Sequence, residues 1–143
     1  MERGYSIVAL DNPKCNKNVG SILRAAGCYG ATAVVTAGRR YSPASTDTMK
    51  YYRHAPLFLV DDVFDAIPYD CVPVAVDLIE GARPLQEYTH PERAFYIFGA
   101  EDATLGERIL SRCRDVVYIP TKYCMNLAAT VNVVLYDRMC KGA

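Results

Sequence analysis

The sequence predicts an α/β domain of three layers, in which helices cover both faces of a mostly parallel sheet. Short β-rich runs alternate with helix-like windows along the chain, and this order is typical of parallel sheets. The strand candidates are continuously apolar, as expected for strands that are buried on both faces. The chain has 143 residues, enough for one domain (1–143) with one core, and we expect five or six strands.

The first half of the chain contains three strand candidates and one long helix. "YSIVAL" (5–10) is the first strand, and a helix is expected from Val19, with Asn18 as its N-cap and Gly30 just after its end. "ATAVVTAG" and "PLFLV" are the next strands, and "DDVFDAI" is a short helix. The polar, Ser/Thr-rich stretch 39–55 is expected to form a loop with a short helix.

The second half continues the alternation with the strands "CVPVAVDL", "RAFYIFGA" and "DVVYIP". Thr104 and Glu107 have the spacing of a capping box and predict a helix start. Asn126 is the expected N-cap of the final helix, "NLAATVNVVLYDRMCK". Asn132 is a lone amide in an apolar turn of that helix, so it must find a polar partner within the domain or across a subunit interface.

Composition excludes several classes of protein. Lys+Arg and Asp+Glu both total 16, so a polyanionic partner must be bound by a local patch rather than by the net charge. No apolar run approaches the roughly 18 residues of a membrane span. The six cysteines form no C-x-x-C pair, so no metal site is expected. Without a signal segment they are interpreted as reduced, mostly buried thiols of a cytoplasmic protein.

Common catalytic motifs are absent. There is no G-x-G-x-x-G after the first strand, no P-loop and no G-x-S-x-G, which argues against a dinucleotide site, an NTPase and an esterase. His54 and His90 lie in polar stretches and are expected at the surface. In parallel sheets ligands bind at the carboxyl ends of the strands, so the candidate residues are sought there.

Three clusters follow from that search. Arg24 lies opposite the apolar stripe of its helix, between Gly20 and Gly27, which fits either a solvated arginine or close approach by a phosphate or ribose. Glu101 follows the strand that ends at Gly99, and a turn residue near a helix N-terminus would have the same pattern. The third cluster is "YIPTKYCMNLAAT", which contains Asn126.

Together and in this order, the three clusters resemble the motifs of the SpoU/TrmH-like RNA 2′-O-ribose methyltransferases of the SPOUT superfamily. The first motif, Asn-x-Gly-Ser/Ala-Ile-x-Arg, is matched by "NVGSILR" (18–24), and the second by "YIFGAE" (96–101). The third is matched by Ile119-Pro120, "CMN" (124–126) and "LYD" (135–137), with Cys124 in place of the family's serine.

The resemblance implies a single-domain enzyme with a deep C-terminal trefoil knot that works as a homodimer in the cytoplasm. It implies S-adenosylmethionine as cofactor, bound by the loops at Val76, Gly99 and Ile119 to Asn126, with Cys124 and Met125 among the contacts. It implies catalytic roles for the following residues: Arg24, Asn18, Glu101 and Asn126. Arg24 of one subunit would approach the cofactor of the other and stabilise negative charge or orient a phosphate.

RNA is the implied substrate, and tRNA is favoured over rRNA because the chain is neutral and has no added domain. Basic residues beside tyrosines suit phosphate contact and base stacking. The candidates are Lys14, Lys17, Arg39, Arg40, Lys50 and Arg53. Three alternatives stay open: a non-catalytic RNA-binding module of the same fold, a SPOUT enzyme that methylates a base, and an unrelated α/β small-molecule enzyme.

Overall fold

The computed structural model describes residues 4–38 and 55–143. Its strands are β1 (Tyr5–Asp11), β2 (Ala33–Ala37), β3 (Leu57–Val60), β4 (Val72–Val76), β5 (Arg83–Pro84), β6 (Arg93–Phe98) and β7 (Asp115–Tyr118). They form one sheet in the order β3-β2-β1-β6-β4-β7-β5, in which every described pairing is parallel. The predicted parallel α/β sheet is confirmed. The described residues form seven strands rather than five or six, because the two-residue β5 has no apolar run that the sequence could show.

Helices cover both faces of this sheet, as the buried strands predict. On one face α1 (Asn16–Tyr29) and α3 (Leu127–Cys140) bury Val19, Ile22, Val131 and Leu135 against the strands. The other face is covered by the short α2 (Glu107–Leu110) and a 3-10 helix at Val63–Ala66. A second 3-10 helix, at Leu85–Glu87, packs on the same face as α1 and α3. No helix in the described residues has the length and apolarity needed to cross a membrane.

The sheet topology places three strand ends side by side. β6, β4 and β7 are consecutive neighbours, and because they are parallel their carboxyl ends lie at one edge. We call the end of the sheet at which the strands finish the carboxyl edge, and the end at which they begin the amino edge. The loops after these strands are therefore the part of the fold that can surround a ligand.

The helix ends agree only partly with the sequence. Asn126 caps α3 as predicted, with its side-chain oxygen accepting the N–H groups of Ala128 (2.9 Å) and Ala129 (3.2 Å). The prediction that Asn18 is an N-cap is wrong, because α1 begins at Asn16 after Cys15 and Asn18 lies inside its first turn.

The capping box between Thr104 and Glu107 is also wrong. The α2 helix begins at Glu107 after Gly106, with no side-chain cap. The reason lies just before it: Leu105 is buried, and its N–H donates to the Asp77 carboxylate at 3.0 Å. That contact holds the chain outside the helix until Gly106.

A polar cluster, buried except for Asp137 and Lys141, joins the C-terminal end of α3 to the amino edge. We call it the anchor network, and it consists of His90, Tyr96, Asp137, Arg138 and Lys141. His90 contacts the Tyr96 hydroxyl and the Asp137 carboxylate, both at 2.6 Å, with its side chain fully buried. The prediction that His90 is a surface histidine is therefore wrong, because its partners lie 6 and 47 positions away along the chain.

Arg138 is the centre of the anchor network. Its guanidinium donates to the carbonyls of Pro91 (2.7 Å), Glu92 (2.7 Å) and Tyr5 (3.3 Å) and to the Tyr96 hydroxyl (3.1 Å). These carbonyls lie where β1 and β6 begin, so α3 is fixed to the amino edge by an arginine that is 6% exposed.

Burial lowers the pKa of His90 despite the Asp137 carboxylate, so the ring is neutral near neutral pH. A carboxylate only accepts, so Nε2–H donates to Asp137 and Nδ1 accepts from the Tyr96 hydroxyl. Burial also raises the pKa of Tyr96 to about 12, which keeps its proton available for that bond. The network is therefore a directed chain of donors from Arg138 through Tyr96 to His90 and Asp137.

The cysteines are less buried than their apolar neighbours suggest. All six are free thiols, but only Cys71 is buried, whereas Cys28, Cys124 and Cys140 are exposed. Within the described residues, no group of three or more His, Cys, Asp or Glu side chains could hold a metal ion.

Candidate active site

A cavity of about 740 Å³ opens at the carboxyl edge. It is formed by the loops after β4, β6 and β7 and by the first turn of α3. Every residue that the sequence predicts to bind the cofactor lines it, namely Val76, Gly99, Ile119, Cys124, Met125 and Asn126. Its volume lies in the range of about 300–1,000 Å³ that is typical of small-molecule sites.

The residues of the three sequence motifs meet beside this cavity. The Asn18 side-chain amide donates to the Glu101 carboxylate at 3.0 Å, and the Asn126 amide donates to the Asn18 side-chain oxygen at 3.1 Å. We call these three residues the cavity network. It joins positions up to 108 residues apart, and Glu101 and Asn126 also line the cavity. Asn18 therefore acts as a link between two loops instead of as a helix cap.

Glu101 is the acceptor at the centre of the cavity network. Besides the Asn18 amide, it accepts the backbone N–H groups of Lys14 (3.0 Å) and Cys15 (2.7 Å), just before α1. Burial opposes the ionised form, but these three donors outweigh it and lower the pKa of Glu101. Glu101 is therefore a carboxylate that holds the start of α1, and a proton-accepting role would be disfavoured by the same contacts.

Gly99 permits a tight turn at the end of β6. A Cβ atom there would lie 3.1 Å from the Ala103 carbonyl oxygen and 3.4 Å from the Leu105 backbone nitrogen. The close approach is thus made by the protein's own loop, while Gly99 remains in the cavity lining. Asp77 stabilises the same loop from β4 through its bond to Leu105.

Arg24 lies on the exposed side of α1, as its position opposite the apolar stripe predicts. The stripe residues Val19, Ile22 and Ala26 are fully buried, whereas Ser21, Arg24 and Cys28 are exposed. Among the described residues, no hydrogen bond or ion pair involves Arg24, and it does not line the cavity of its own chain. The structure therefore brings together Asn18, Glu101 and Asn126 but leaves Arg24 outside the cluster.

The predicted RNA-binding residues are divided between described and undescribed parts of the chain. Lys14 and Lys17 are exposed near the start of α1, and the Lys14 ammonium lies 3.9 Å from the Asp102 carboxylate. Arg39, Arg40, Lys50, Arg53 and His54 lie outside the described residues. The prediction of a basic, tyrosine-containing patch therefore remains a prediction.

Sequence reasoning missed two cavity residues that follow β4. Asp77 fixes the loop after β6, and Leu78 lines the cavity while 72% exposed. The available signal was their place directly after an apolar strand, at the edge where ligands bind. Asp77 and Leu78 lie outside the three motifs, whereas Gly99 and Asn126 belong to them.

Comparison with known proteins connects this site to a family. A family model described as the SpoU rRNA methylase family matches residues 5–136, which is most of the chain and includes the first two motifs and the third as far as Tyr136. No curated protein matches by sequence.

Solved structures share the fold at low identity. SpoU methyltransferase AviRb from Streptomyces viridochromogenes superposes with a TM-score of 0.83 at 24% identity, over 97% of this chain and 60% of that one. A structure from work on the 2-OH methylation of C/U34 on tRNA gives 0.84 at 23% identity, over 99% and 92% of the two chains. The TrmH/SpoU tRNA modifying enzyme of A. aeolicus gives 0.84 at 17%, over 98% and 76%.

AviRb has also been crystallised with the cofactor AdoMet, and that complex superposes with a TM-score of 0.84 at 24% identity, over 99% of this chain and 59% of AviRb. The chain thus spans about three fifths of AviRb but nearly all of the second structure. At identities below 25% these likenesses show the fold of the chain.

Proposed function

Because the chain belongs to the SpoU rRNA methylase family, we propose that it transfers a methyl group to a ribose 2′-hydroxyl of RNA, with tRNA favoured over rRNA. The observation that carries this proposal is the cavity network. Glu101, Asn18 and Asn126 come from three motifs that are far apart in the sequence, yet they bond to one another at the mouth of one cavity.

The cofactor is S-adenosylmethionine, as the motifs predict. The cavity fits this group because apolar side chains such as Val76, Phe98 and Ile119 suit an adenine ring, while the backbone of three strand ends supplies donors and acceptors. The Met125 and Asn126 segment would hold the other side of the molecule. When bound, the cofactor supplies a methyl group that is already activated by the sulfonium.

The protein has two tasks in the reaction. It must hold the ribose hydroxyl in line with the methyl group, and it must stabilise the negative charge that develops on the hydroxyl oxygen as the hydroxyl proton passes to solvent water. A guanidinium carries a fixed positive charge and five donors, so Arg24 is suited to the second task, through the oxygen or a neighbouring phosphate. Glu101 and Asn126 hold the cavity wall, and Asn18 holds α1, which carries Arg24.

Arg24 fits this scheme when two chains assemble. It lies outside the cavity of its own chain, and the exposed face of α3 beside α1 is apolar, with Val133 at 37%, Tyr136 at 54% and Met139 at 55% exposure. A face of this kind is favourably covered by a second copy. We therefore place Arg24 of each subunit at the partner's cofactor in a homodimer.

Three further features belong to the same proposal. The chain acts as one methyltransferase domain, in the cytoplasm, and its C-terminal segment forms the trefoil knot of this family. The order β4-β7-β5 supports the knot, because β7 enters the sheet between two strands that precede it in the sequence.

The test is methyl transfer from labelled S-adenosylmethionine to total tRNA and to rRNA, followed by mapping of the modified ribose. Arg24→Ala should fold, bind cofactor with nearly unchanged affinity and lose transfer by a factor of about 100 or more, as expected when a charge-stabilising donor is removed. Wild-type protein that binds cofactor but modifies no RNA would contradict the enzymatic role. A methyl group on a base would contradict the 2′-hydroxyl assignment.

A further inference from the structure

The loop between β7 and α3 holds an aromatic ring outside the core. Tyr123 is 78% exposed, while Thr121 and Cys124 on either side of it line the cavity. The Thr121 hydroxyl donates to the Tyr123 carbonyl at 2.7 Å and closes a short turn at this point. The turn therefore holds Tyr123 between two residues that line the cavity, with its ring exposed to solvent.

A second large apolar side chain is exposed in the cavity wall. Leu78 lines the cavity and is 72% exposed. Its position is fixed, because Asp77 accepts the Leu78 N–H at 2.9 Å through one oxygen and the Leu105 N–H at 3.0 Å through the other. Leu78 in the cavity wall and Tyr123 between two lining residues thus expose large apolar surface, which suits contact with a ligand.

The charges around the cavity favour an anionic chain on the Tyr123 side. Lys122 is exposed next to Tyr123, and among the described residues no ion pair involves it. In the loop after β6, which carries the second motif, the Glu101 carboxylate already accepts three N–H donors. The neighbouring Asp102 carboxylate lies 3.9 Å from the Lys14 ammonium. A phosphate would therefore meet attraction at Lys122 without facing an uncompensated carboxylate of the second motif.

We infer that Tyr123 stacks on the base of the RNA nucleotide that is methylated, with Leu78 as a second apolar contact and Lys122 beside its phosphate. An aromatic face with a neighbouring cation suits a base that has been turned out of its helix, because every base offers a π-face. Holding the base at the rim would place its ribose over the cavity. The inference rests on the proposed function and names the substrate contact of the same site.

Tyr123→Ala and Tyr123→Phe test the inference against Tyr69→Ala. Tyr69 is a matched control, because it is 90% exposed but precedes β4 and so lies toward the amino edge. The readouts are calorimetric affinity for S-adenosylmethionine, affinity for bulk tRNA in the presence of S-adenosylhomocysteine, and kcat/KM for methyl transfer. Tyr123→Ala should leave cofactor affinity unchanged and weaken RNA binding and kcat/KM by roughly 5- to 100-fold, the effect of losing one stacked base.

The Phe variant should stay within about twofold of wild type, because the stacking face is retained. Tyr69→Ala should match wild type in all three readouts. Unchanged RNA affinity and kcat/KM in Tyr123→Ala would overturn the inference while leaving the proposed function intact. A wild-type protein without methyl transfer would overturn the proposed function instead, and the RNA-affinity comparison would still test Tyr123.

Discussion

The two ends of α3 are fixed by polar networks of different kinds. At its start the cavity network joins a carboxylate to two amides beside an open cavity, and Glu101 and Asn126 are exposed. At its end the anchor network buries a guanidinium against backbone carbonyls and a neutral imidazole between a hydroxyl and a carboxylate. Buried polar groups are costly when a partner is lost, whereas exposed ones regain water. Substitutions in the anchor network should therefore lower the free energy of unfolding, and substitutions in the cavity network should mainly lower the rate of methyl transfer.

Arg138→Met should give the largest loss of stability. It removes four hydrogen bonds made by a buried charged group and takes from the Pro91 carbonyl its guanidinium donor, while the Glu92 carbonyl keeps the Tyr5 N–H; the free energy of unfolding should fall by about 3 kcal/mol. Urea denaturation measures this change. Arg138→Lys keeps the charge but lacks the planar guanidinium, so its free energy of unfolding should lie between those of wild type and Arg138→Met. A Met variant as stable as wild type would remove the distinction between the networks.

His90→Gln should lower stability by about 1–2 kcal/mol near neutral pH and also change its pH dependence. The pKa of His90 is lowered on folding from an ordinary value of 6.5, so its contribution is present above that value and is lost as pH falls through it. The unfolding free energy of wild type should therefore decline below about pH 6.5, with a slope of up to about 1.4 kcal/mol per pH unit. An identical decline in the variant would show that another group is responsible.

Glu101→Gln should cost about 1 kcal/mol of stability, the magnitude of a lost helix cap at an exposed site. Its larger effect should be on methyl transfer, reduced about 100-fold in kcat/KM because α1 and the cavity wall shift relative to each other. Asp102→Asn is the matched control for stability, with no cost expected beyond a few tenths of a kcal/mol. Equal losses of stability in the two variants would contradict the role assigned to Glu101.

Acid pH separates the two networks in the wild-type protein. The pKa of Glu101 is lowered on folding, so its contribution is present above its ordinary value of 4.5 and is lost as pH falls through the folded value. The loss from His90 begins about two pH units higher. Unfolding measured between pH 7 and 4 should therefore show the anchor network weakening first, and Glu101→Gln should leave that first decline unchanged.

Asn132→Ala should give the smallest effect. The Asn132 amide donates to the Ala128 carbonyl at 2.8 Å, one turn earlier in α3. The polar partner that its apolar surroundings require is therefore found within the helix, and such a bond adds little to helix stability. The free energy of unfolding, measured by thermal denaturation, should change by less than about 0.5 kcal/mol. A loss well above that value would point to an additional partner across the subunit interface.

How far the sequence predicts this molecule depends on the distance over which residues act. Strands, the Asn126 cap and the exposed position of Arg24 follow from local patterns, and each is present in the structure. Asn18 and the Thr104–Glu107 pair have equally good local patterns for helix caps, but contacts with distant carboxylates replace the predicted caps. Glu101 accepts the Asn18 amide, and Asp77 accepts the Leu105 N–H.

The prediction that His90 lies at the surface is wrong for the same reason as the prediction that Asn18 is an N-cap. Its polar neighbours suggest solvent, but its partners Tyr96 and Asp137 come from β6 and α3. The cavity lining was predicted more fully because the motifs mark three strand ends, and parallel pairing brings such ends together whatever the side-chain details. Leu78 lies outside the three clusters, and Tyr123 lies in the third cluster but at none of the positions that match the family motif, so only their exposure in the folded chain reveals them.

The position of β7 has a consequence for how the chain folds. Among the described strands, β5 is paired only with β7, and β7 follows it by some thirty positions in the sequence, so β5 has no hydrogen-bonded neighbour there until β7 is in place beside β4. β5 therefore joins the sheet only after β7 has paired with β4, and these contacts require loop closure before they are stabilised. We expect the cofactor cavity, which needs the loop after β7, to form only once β7 is in place.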